Sequence, residues 1–415
     1  MTAVSADRVE SAAQARSIAT RLAADFASGA AARDRDRELP HREIDLLAAS
    51  GLLAVTVPSV HGGADLPPSA VAEVVRILAA ADPNIAQIPH SHFVYLNLLR
   101  LAGTEKQRRR YFARVLDGGR IANAQSERSA ATVAEIATTV RPDGERFRID
   151  GVKYYCTGSL FADLLAVLTR LEDPDNRSGL PAGEYIVFLP ADSPGVRVID
   201  DWNGLGQRTT GSGTVSFDGV VVEGDQLVGR AAAVNAPTGY GAFAQLLHTA
   251  IDAGIARGAL TAATEFVQTN SRPWFEAGVA RAVDDPLLIQ RFGELSVAVS
   301  AAEATLVAAG TAVDAATHGV PGGAGSPDGS GVPELATRAS LAVATAKVLA
   351  DLAATEVSAA LFEVGGTRSA AADLNLSHYW RNARTHTLHD PVRWKYQHIG
   401  RALLHDTPPP LHGVI

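Results

Sequence analysis

Apolar side chains recur at intervals of three and four from Val9 to Phe26, Arg42 to Ala49, Ala70 to Ala81 and Ile85 to Ala102, the period of helices that each bury one face. Gly51, Gly62-Gly63 and Asp82-Pro83 interrupt the pattern, as glycine and proline do at helix ends. Thr104-Glu105-Lys106-Gln107 reads as a helix start, with Thr104 capping the first turn and Gln107 reaching back to it. From Ile121 the character changes to short β-prone runs: FRIDGVKYYCTGS (147–159), LLAVLTR (164–170), EYIVFLP (184–190), GVRVID (195–200) and GTVSFDGVVV (213–222). Turn signals such as Asp143-Gly144, Pro194-Gly195 and Gly204-Leu205 separate them. The helical period returns from Tyr240 in long segments, Gly241 to Thr269, Asp285 to Thr317 and Val332 to Phe362, with shorter ones to Leu404.

This order predicts a mainly α protein with a central β domain. An N-terminal helical domain covers 1–120, a small β-barrel or sandwich 121–235, and an antiparallel helix bundle with its tail 236–415. Gly319 to Pro333, GVPGGAGSPDGSGVP, is too rich in glycine and proline to fold by itself and reads as an exposed spacer. No GxGxxG follows a strand and no Walker motif occurs, so a Rossmann or P-loop reading has no support.

Composition narrows the function by exclusion. A formal net charge of −8 argues against nucleic acid or an anionic membrane as the main partner. The single cysteine, Cys156, permits neither an intrachain disulfide nor a thiol-held metal cluster. The N-terminus lacks a basic start followed by an apolar stretch, and no run of about 18 apolar residues is read as a membrane span. A soluble cytoplasmic protein is the expectation.

The unusual stretch is Trp380 to Lys395, WRNARTHTLHDPVRWK, which gathers two tryptophans, three arginines and two histidines in an otherwise alanine- and leucine-rich region. Arg381 and Arg384 share a helix face, and Asp390-Pro391 reads as the start of a further helix with Asp390 as N-cap. His386 and His389 then stand at a junction between helices, where side chains can be aimed into a cleft. They also fit a polar hinge whose rings bond helix-end carbonyls.

With the order of lobes, this stretch resembles the acyl-CoA dehydrogenase superfamily, and within it the branch containing dibenzothiophene monooxygenase and the sulfur-acquisition oxidoreductases. In the dehydrogenases the junction carries a Tyr-Glu-Gly-Thr signature whose glutamate removes the substrate's α-proton. Here it reads Leu388-His389-Asp390-Pro391, an imidazole in place of the carboxylate. Some members hold the base on an earlier helix, matched here by LLHTAIDAGIARGAL (246–260), where His248 and Asp252 lie one turn apart and no glutamate occurs. Asp252 stays a candidate base for an alternative activity, acyl-CoA oxidation.

The resemblance implies a flavin site. Asn123-Ala124-Gln125-Ser126-Glu127 matches one flavin-flanking strand, with Asn123 lining the oxygen pocket and Ser126 on the pyrimidine edge. Tyr154 to Ser159 matches the second, with Tyr155 and Thr157 beside the isoalloxazine and Ser159 facing its reactive N5 and C4a side. The glycine-rich run Trp202 to Gly213 suits a loop passing a planar ligand, Trp202 near the ring and Ser212 near the ribityl phosphate. Arg272 and Arg368 are the implied phosphate partners, Arg272 across a subunit interface. His92, Phe93, Tyr95 and His248 are implied to contact substrate. The implied catalytic set is His389, Ser159, Asn123 and His92, in a two-component monooxygenase that uses reduced flavin and O2 through a C4a-hydroperoxide. An imidazole suits proton donation there better than an ionised carboxylate. The implied substrate is a small organosulfur compound, a sulfide, sulfoxide or sulfone. The implied cofactor is FMN, with FAD open, supplied reduced by a separate NAD(P)H-dependent flavin reductase, and the implied assembly is a homotetramer. Amine N-hydroxylation and a non-catalytic flavin-binding role are the other readings.

Overall fold

The computed structural model describes residues 6–128, 135–318, 332–413 and 415; residues 319–331 of the glycine- and proline-rich spacer lie outside them. Seven helices come first: α1 (Ala12–Ala27), α2 (Ala30–Asp36), α3 (His41–Ala49), α4 (Pro68–Ala81), α5 (Pro83–Gln87), α6 (His90–Ala102) and α7 (Glu105–Leu116). Thr104 caps α7 as its sequence predicts, with its hydroxyl accepting from Gln107 N–H and its own N–H donating to Gln107 Oε1. The segment read as one helix from Ile85 is broken at Pro89, so His90 opens a new helix.

The strands are β1 (Ile121–Ala124), β2 (Thr139–Asp143), β3 (Arg146–Lys153), β4 (Leu164–Leu171), β5 (Glu184–Pro190), β6 (Val196–Ile199), β7 (Thr214–Val222) and β8 (Leu227–Gly229). They form one sheet in the order β6-β7-β3-β2-β4-β5-β8, with β1 lying parallel to β4. The sheet has its own core, in which Val140, Ile149, Leu165, Val187 and Val215 are fully buried. Inside it Lys153 donates to Glu127 Oε1 at 2.6 Å and to the Gln125 carbonyl at 3.0 Å, so the chain leaving β1 is tied to the end of β3.

After α8 (Ala231–Val234) come the long helices α9 (Tyr240–Thr269), α10 (Pro286–His318) and α11 (Val332–Gly365), then α12 (Ser377–His386) and α13 (Arg393–His405). α9 is the central rod, buried on nearly every side from Tyr240 to Leu260. The fourth helix of its bundle is α4, from the other end of the chain. Glycine makes that contact possible: a Cβ on Gly254 would lie 2.6 Å from the Arg76 carbonyl oxygen, and one on Gly258 2.3 Å from that of Ala80. α10 has no unbroken apolar run, but it is long and apolar enough by length and composition to cross a membrane, with a hydropathy of 1.5 over its most apolar 18-residue window. In the fold it packs on α9, α11 and α4, yet leaves Leu287, Ile289, Val297 and Val307 exposed.

Candidate active site

The glycine-rich loop is pinned between α12 and α5. Gly206 N–H donates to Thr385 Oγ1 at 2.8 Å, Gln207 N–H to Asn382 Oδ1 at 2.7 Å, and Thr209 N–H to Asn84 Oδ1 at 3.2 Å. Gly206 sits so close to α12 that a Cβ would lie 2.0 Å from the Arg381 carbonyl oxygen. Arg381 itself is held in an ion pair with buried Asp34 and donates to the Leu205 carbonyl. Gln207 adopts a left-handed φ of 50°, and its carbonyl accepts from both Trp202 Nε1 and Thr210 Oγ1.

A row of hydroxyls joins this loop to the turn after β3. Thr157 Oγ1 lies 2.8 Å from Ser212 Oγ, which lies 2.6 Å from Thr210 Oγ1. Each hydroxyl has one proton and that of Thr210 goes to the Gln207 carbonyl. Ser212 must therefore donate to Thr210 and Thr157 to Ser212, which leaves Thr157 Oγ1 as an acceptor. Asn123 Nδ2 donates to the Tyr155 carbonyl at 3.4 Å, Ser159 Oγ to the Gly211 carbonyl at 3.4 Å, and the Tyr155 ring stands edge-on to Trp202. Asn123, Tyr155, Thr157, Ser159, Trp202 and Ser212 are thus brought together. Around them Asn123 Oδ1, both amide atoms of Gln207, Thr209 Oγ1 and Asn382 Nδ2 are buried without a partner among the described residues. Unsatisfied polar atoms at this density are expected where a ligand supplies the missing bonds.

Four residues beyond Asn382, α12 turns to the bundle. His386 Nδ1 lies 2.6 Å from Asp252 Oδ1, and its Nε2 lies 3.0 Å from His248 Nδ1. The His248 ring is sandwiched between His90, at 3.7 Å, and His389, at 3.8 Å between centroids. Behind them Lys347 Nζ lies 2.8 Å from Asp252 Oδ2 and 2.5 Å from Asp351 Oδ1. Asp252, His386 and Lys347 have no solvent exposure, whereas His389 is exposed at the open end of the group. Burial holds His90 down to about 4, and burial followed by the Lys347 charge holds His386 down to about 3. Asp390 does not cap α13, which begins at Arg393; its carboxylate pairs with Lys395 Nζ at 3.1 Å.

Models of the N-terminal, middle and C-terminal domains of acyl-CoA dehydrogenases match residues 9–119, 122–220 and 246–394. The chain belongs to the acyl-CoA dehydrogenase family. It is 32% identical over 398 residues to a dibenzothiophene monooxygenase of Rhodococcus qingshengii, covering 93% of this chain and 92% of that one. It is 30% identical over 403 residues to the probable FMNH2-dependent monooxygenase SfnC of Pseudomonas putida, covering 95% of this chain and 96% of that one. The crystal structure of TdsC from Paenibacillus sp. A11-2 with FMN and indole superposes with a TM-score of 0.88 at 31% identity, over 97% of this chain and 99% of that one.

Within this family fold several sequence expectations change. His92 has no nitrogen left for a substrate: its Nε2 bonds the Leu53 carbonyl at 2.8 Å and its Nδ1 accepts from Ile121 N–H at 3.1 Å. The histidine of α6 that joins the cluster is His90, two positions earlier and so on another face. Tyr95 does face the same way as His92, but its hydroxyl donates to Gln125 Oε1, which makes both residues struts between α6 and the β1 segment. Phe93 is sealed in the helical core, edge-on to His92. A cavity of about 20 Å³ beside His92, lined by Leu47, Leu53, Ile121 and Phe161, is wide enough for about one water. Ser126 is exposed just past β1, and its carbonyl accepts from Tyr154 N–H. Arg272 follows the end of α9 by three residues, and Arg368 is brought to the same end by donating to the Asn270 carbonyl. Within one protomer they lie about 30 Å along α9 from His248. Asp252 is no longer a free base, since Lys347 and His386 hold both its oxygens.

His90, Asn382, Gln207 and Lys347 carried no expectation from the sequence, and His386 only its place at the helix junction. One signal was available: Lys347 and Asp351, four apart, stand in an otherwise apolar helical run, where charges survive burial only if paired.

Proposed function

We propose that this chain is a flavin-dependent monooxygenase that oxygenates a small organosulfur compound with reduced FMN and dioxygen. The observation that carries the reading is the juxtaposition of two features through α12: a cradle of unsatisfied polar atoms beside an aromatic wall, and an imidazole group where a dehydrogenase needs a carboxylate. Gln207, Thr209, Asn382 and Asn123 supply amide and hydroxyl partners of the kind that suit the heteroaromatic edge of FMN, with Trp202 and Tyr155 at its side and Thr157 as an acceptor. FMN, when bound reduced, supplies the two electrons for oxygen activation. This chain's residues orient the ring, exclude water and move protons at the histidines. Ser159 and His389 are the donors we place nearest the reacting atoms.

Two further readings go with it. Arg272 and Arg368 lie too far from their own chain's histidines to hold the same FMN, so they serve the phosphate of a neighbouring copy. The apolar face of α10 is the surface that copy would cover, in a tetramer. The enzyme works in the cytoplasm, beside a flavin reductase that supplies FMNH2.

The test is oxygen uptake with reductase-supplied FMNH2. Sulfides or sulfones stimulate uptake and gain oxygen, amines do so less, and acyl-CoA neither bleaches bound flavin anaerobically nor is consumed. Bleaching by acyl-CoA, or oxygen uptake that yields peroxide alone with every sulfur compound, refutes the assignment.

A further inference from the structure

The line Asp252, His386, His248 has a direction, and it follows from the carboxylate end. Asp252 accepts only, so His386 carries its proton on Nδ1 and presents a lone pair at Nε2. His248 must then donate from Nδ1, which leaves its Nε2 as a lone pair. His90 is fixed the other way, its Nε2–H donating to the Ala244 carbonyl. The charged groups packed around the line are Lys347 and Asp351 from α11, Asp390 from the turn before α13, and Lys395 from its first turn. Burial works against the Lys347 ammonium, but Asp252 and Asp351 outweigh it, so it stays charged. Burial and then the Asp252 carboxylate push the Asp351 carboxyl up.

We propose that Asp252, His386 and His248 form a buried proton line that opens on the His90, His248 and His389 stack, with Lys347 fixing its polarity. This rests on the flavin reading above. In the overall reaction FMNH2, O2 and substrate give FMN, oxygenated substrate and water, and the two hydrogens of the reduced ring end on that water. A shuttle beside the ring accepts one and returns it. A proton arriving at His248 Nε2 displaces the Nδ1 proton to His386 Nε2, and the positive charge comes to rest against Asp252. The reverse shift gives the proton back, with no bond to carbon changed and no oxidant required. The stacked rings hold one such charge at a time, since two imidazolium ions under 4 Å apart repel strongly. His386 and Asp252 are positioning residues in this scheme; His248 is the end of the line that meets the stack, beside His389.

Asp252→Asn tests it on the flavin-free protein. The Lys347 ammonium donates only, so the amide oxygen turns to it and the amide N–H turns to His386 Nδ1. His386 must then carry its proton on Nε2, and His248 must accept at Nδ1 and carry its own on Nε2. In protein labelled with ¹⁵N at histidine, two downfield Nδ1–H resonances are expected, assigned by their loss in His248→Gln and His386→Gln. Both are expected to vanish together in D252N, although Asp252 touches only one ring. Loss of the His386 resonance with that of His248 unmoved overturns the line. Should D252N fail to fold, His386→Phe asks the same question: the His248 Nδ1–H signal disappears into solvent exchange if the line exists, and persists if it does not. In turnover, D252N releases several-fold more peroxide per FMNH2 with unchanged flavin affinity, and unchanged coupling overturns the proposal. A wild type that oxygenates no sulfur compound, while both resonances still move together in D252N, refutes the flavin reading and leaves the line standing.

Discussion

Lys347→Met is the sharpest perturbation of the site's foundations. It removes the one cation between two carboxylates and fills the space with a side chain of similar length. Lys347 and Asp252 are fully buried and Asp351 is 5% exposed, so the carboxylates cannot turn to water. Breaking such a pair by removing one partner destabilises by about 3–5 kcal/mol. Protonation limits the damage, because one carboxyl can stay buried as the neutral acid. Holding an acid of ordinary pKa about 3.9 protonated requires about 1.36 kcal/mol per pH unit above that value, so roughly 1.5 kcal/mol at pH 5 and more than 5 at pH 8. The sign follows: the folded variant binds a proton that its unfolded chain releases, so its stability falls as pH rises. An unfolding entropy of about 2 cal/mol/K per residue over 415 residues converts these figures to a Tm loss of about 2 °C at pH 5 and about 4–6 °C at pH 8. Thermal melts of both proteins at the two pH values measure the gap. An equal loss at both, or none at pH 8, would show that the Lys347 charge is not what keeps these carboxylates buried.

Three further changes separate structural from chemical roles. His92→Phe strands the Leu53 carbonyl and the Ile121 N–H, at about 1–3 kcal/mol each, and should lower the melting temperature while the peroxide released per FMNH2 stays as in wild type; a rise in peroxide would return His92 to the mechanism. Gly206→Ala pushes a methyl into the α12 backbone and should weaken FMN binding at least tenfold by fluorescence titration, with far-UV circular dichroism unchanged; wild-type affinity would dissociate the loop from the flavin. His389→Ala removes the exposed ring of the stack and should leave FMN affinity intact while peroxide rises and oxygenated product falls several-fold, and product formation at the wild-type level would exclude His389.

The periodicity of the chain was sufficient for its architecture, because burying one face of a helix or strand is a local demand written into neighbouring residues. The Thr104 cap, the five strand runs and the three long helices all stand close to where the pattern places them. The resemblance also brought Asn123, Thr157, Ser159, Trp202 and Ser212 to one place, since each lies in a short motif whose backbone turns it there. What the pattern could not decide was the partner of a polar side chain. His90 and His92 are indistinguishable in the string PHSHF, and only the packing of α6 against α9 and β1 sends one ring to His248 and the other to two backbone groups. Asp252 reads as a free base until Lys347, ninety-five positions away, and His386, one hundred and thirty-four away, close on it. Hydrophobic burial is set residue by residue, whereas the role of a buried ionisable group depends on which distant groups share its dry environment, and that is fixed only when the helices meet.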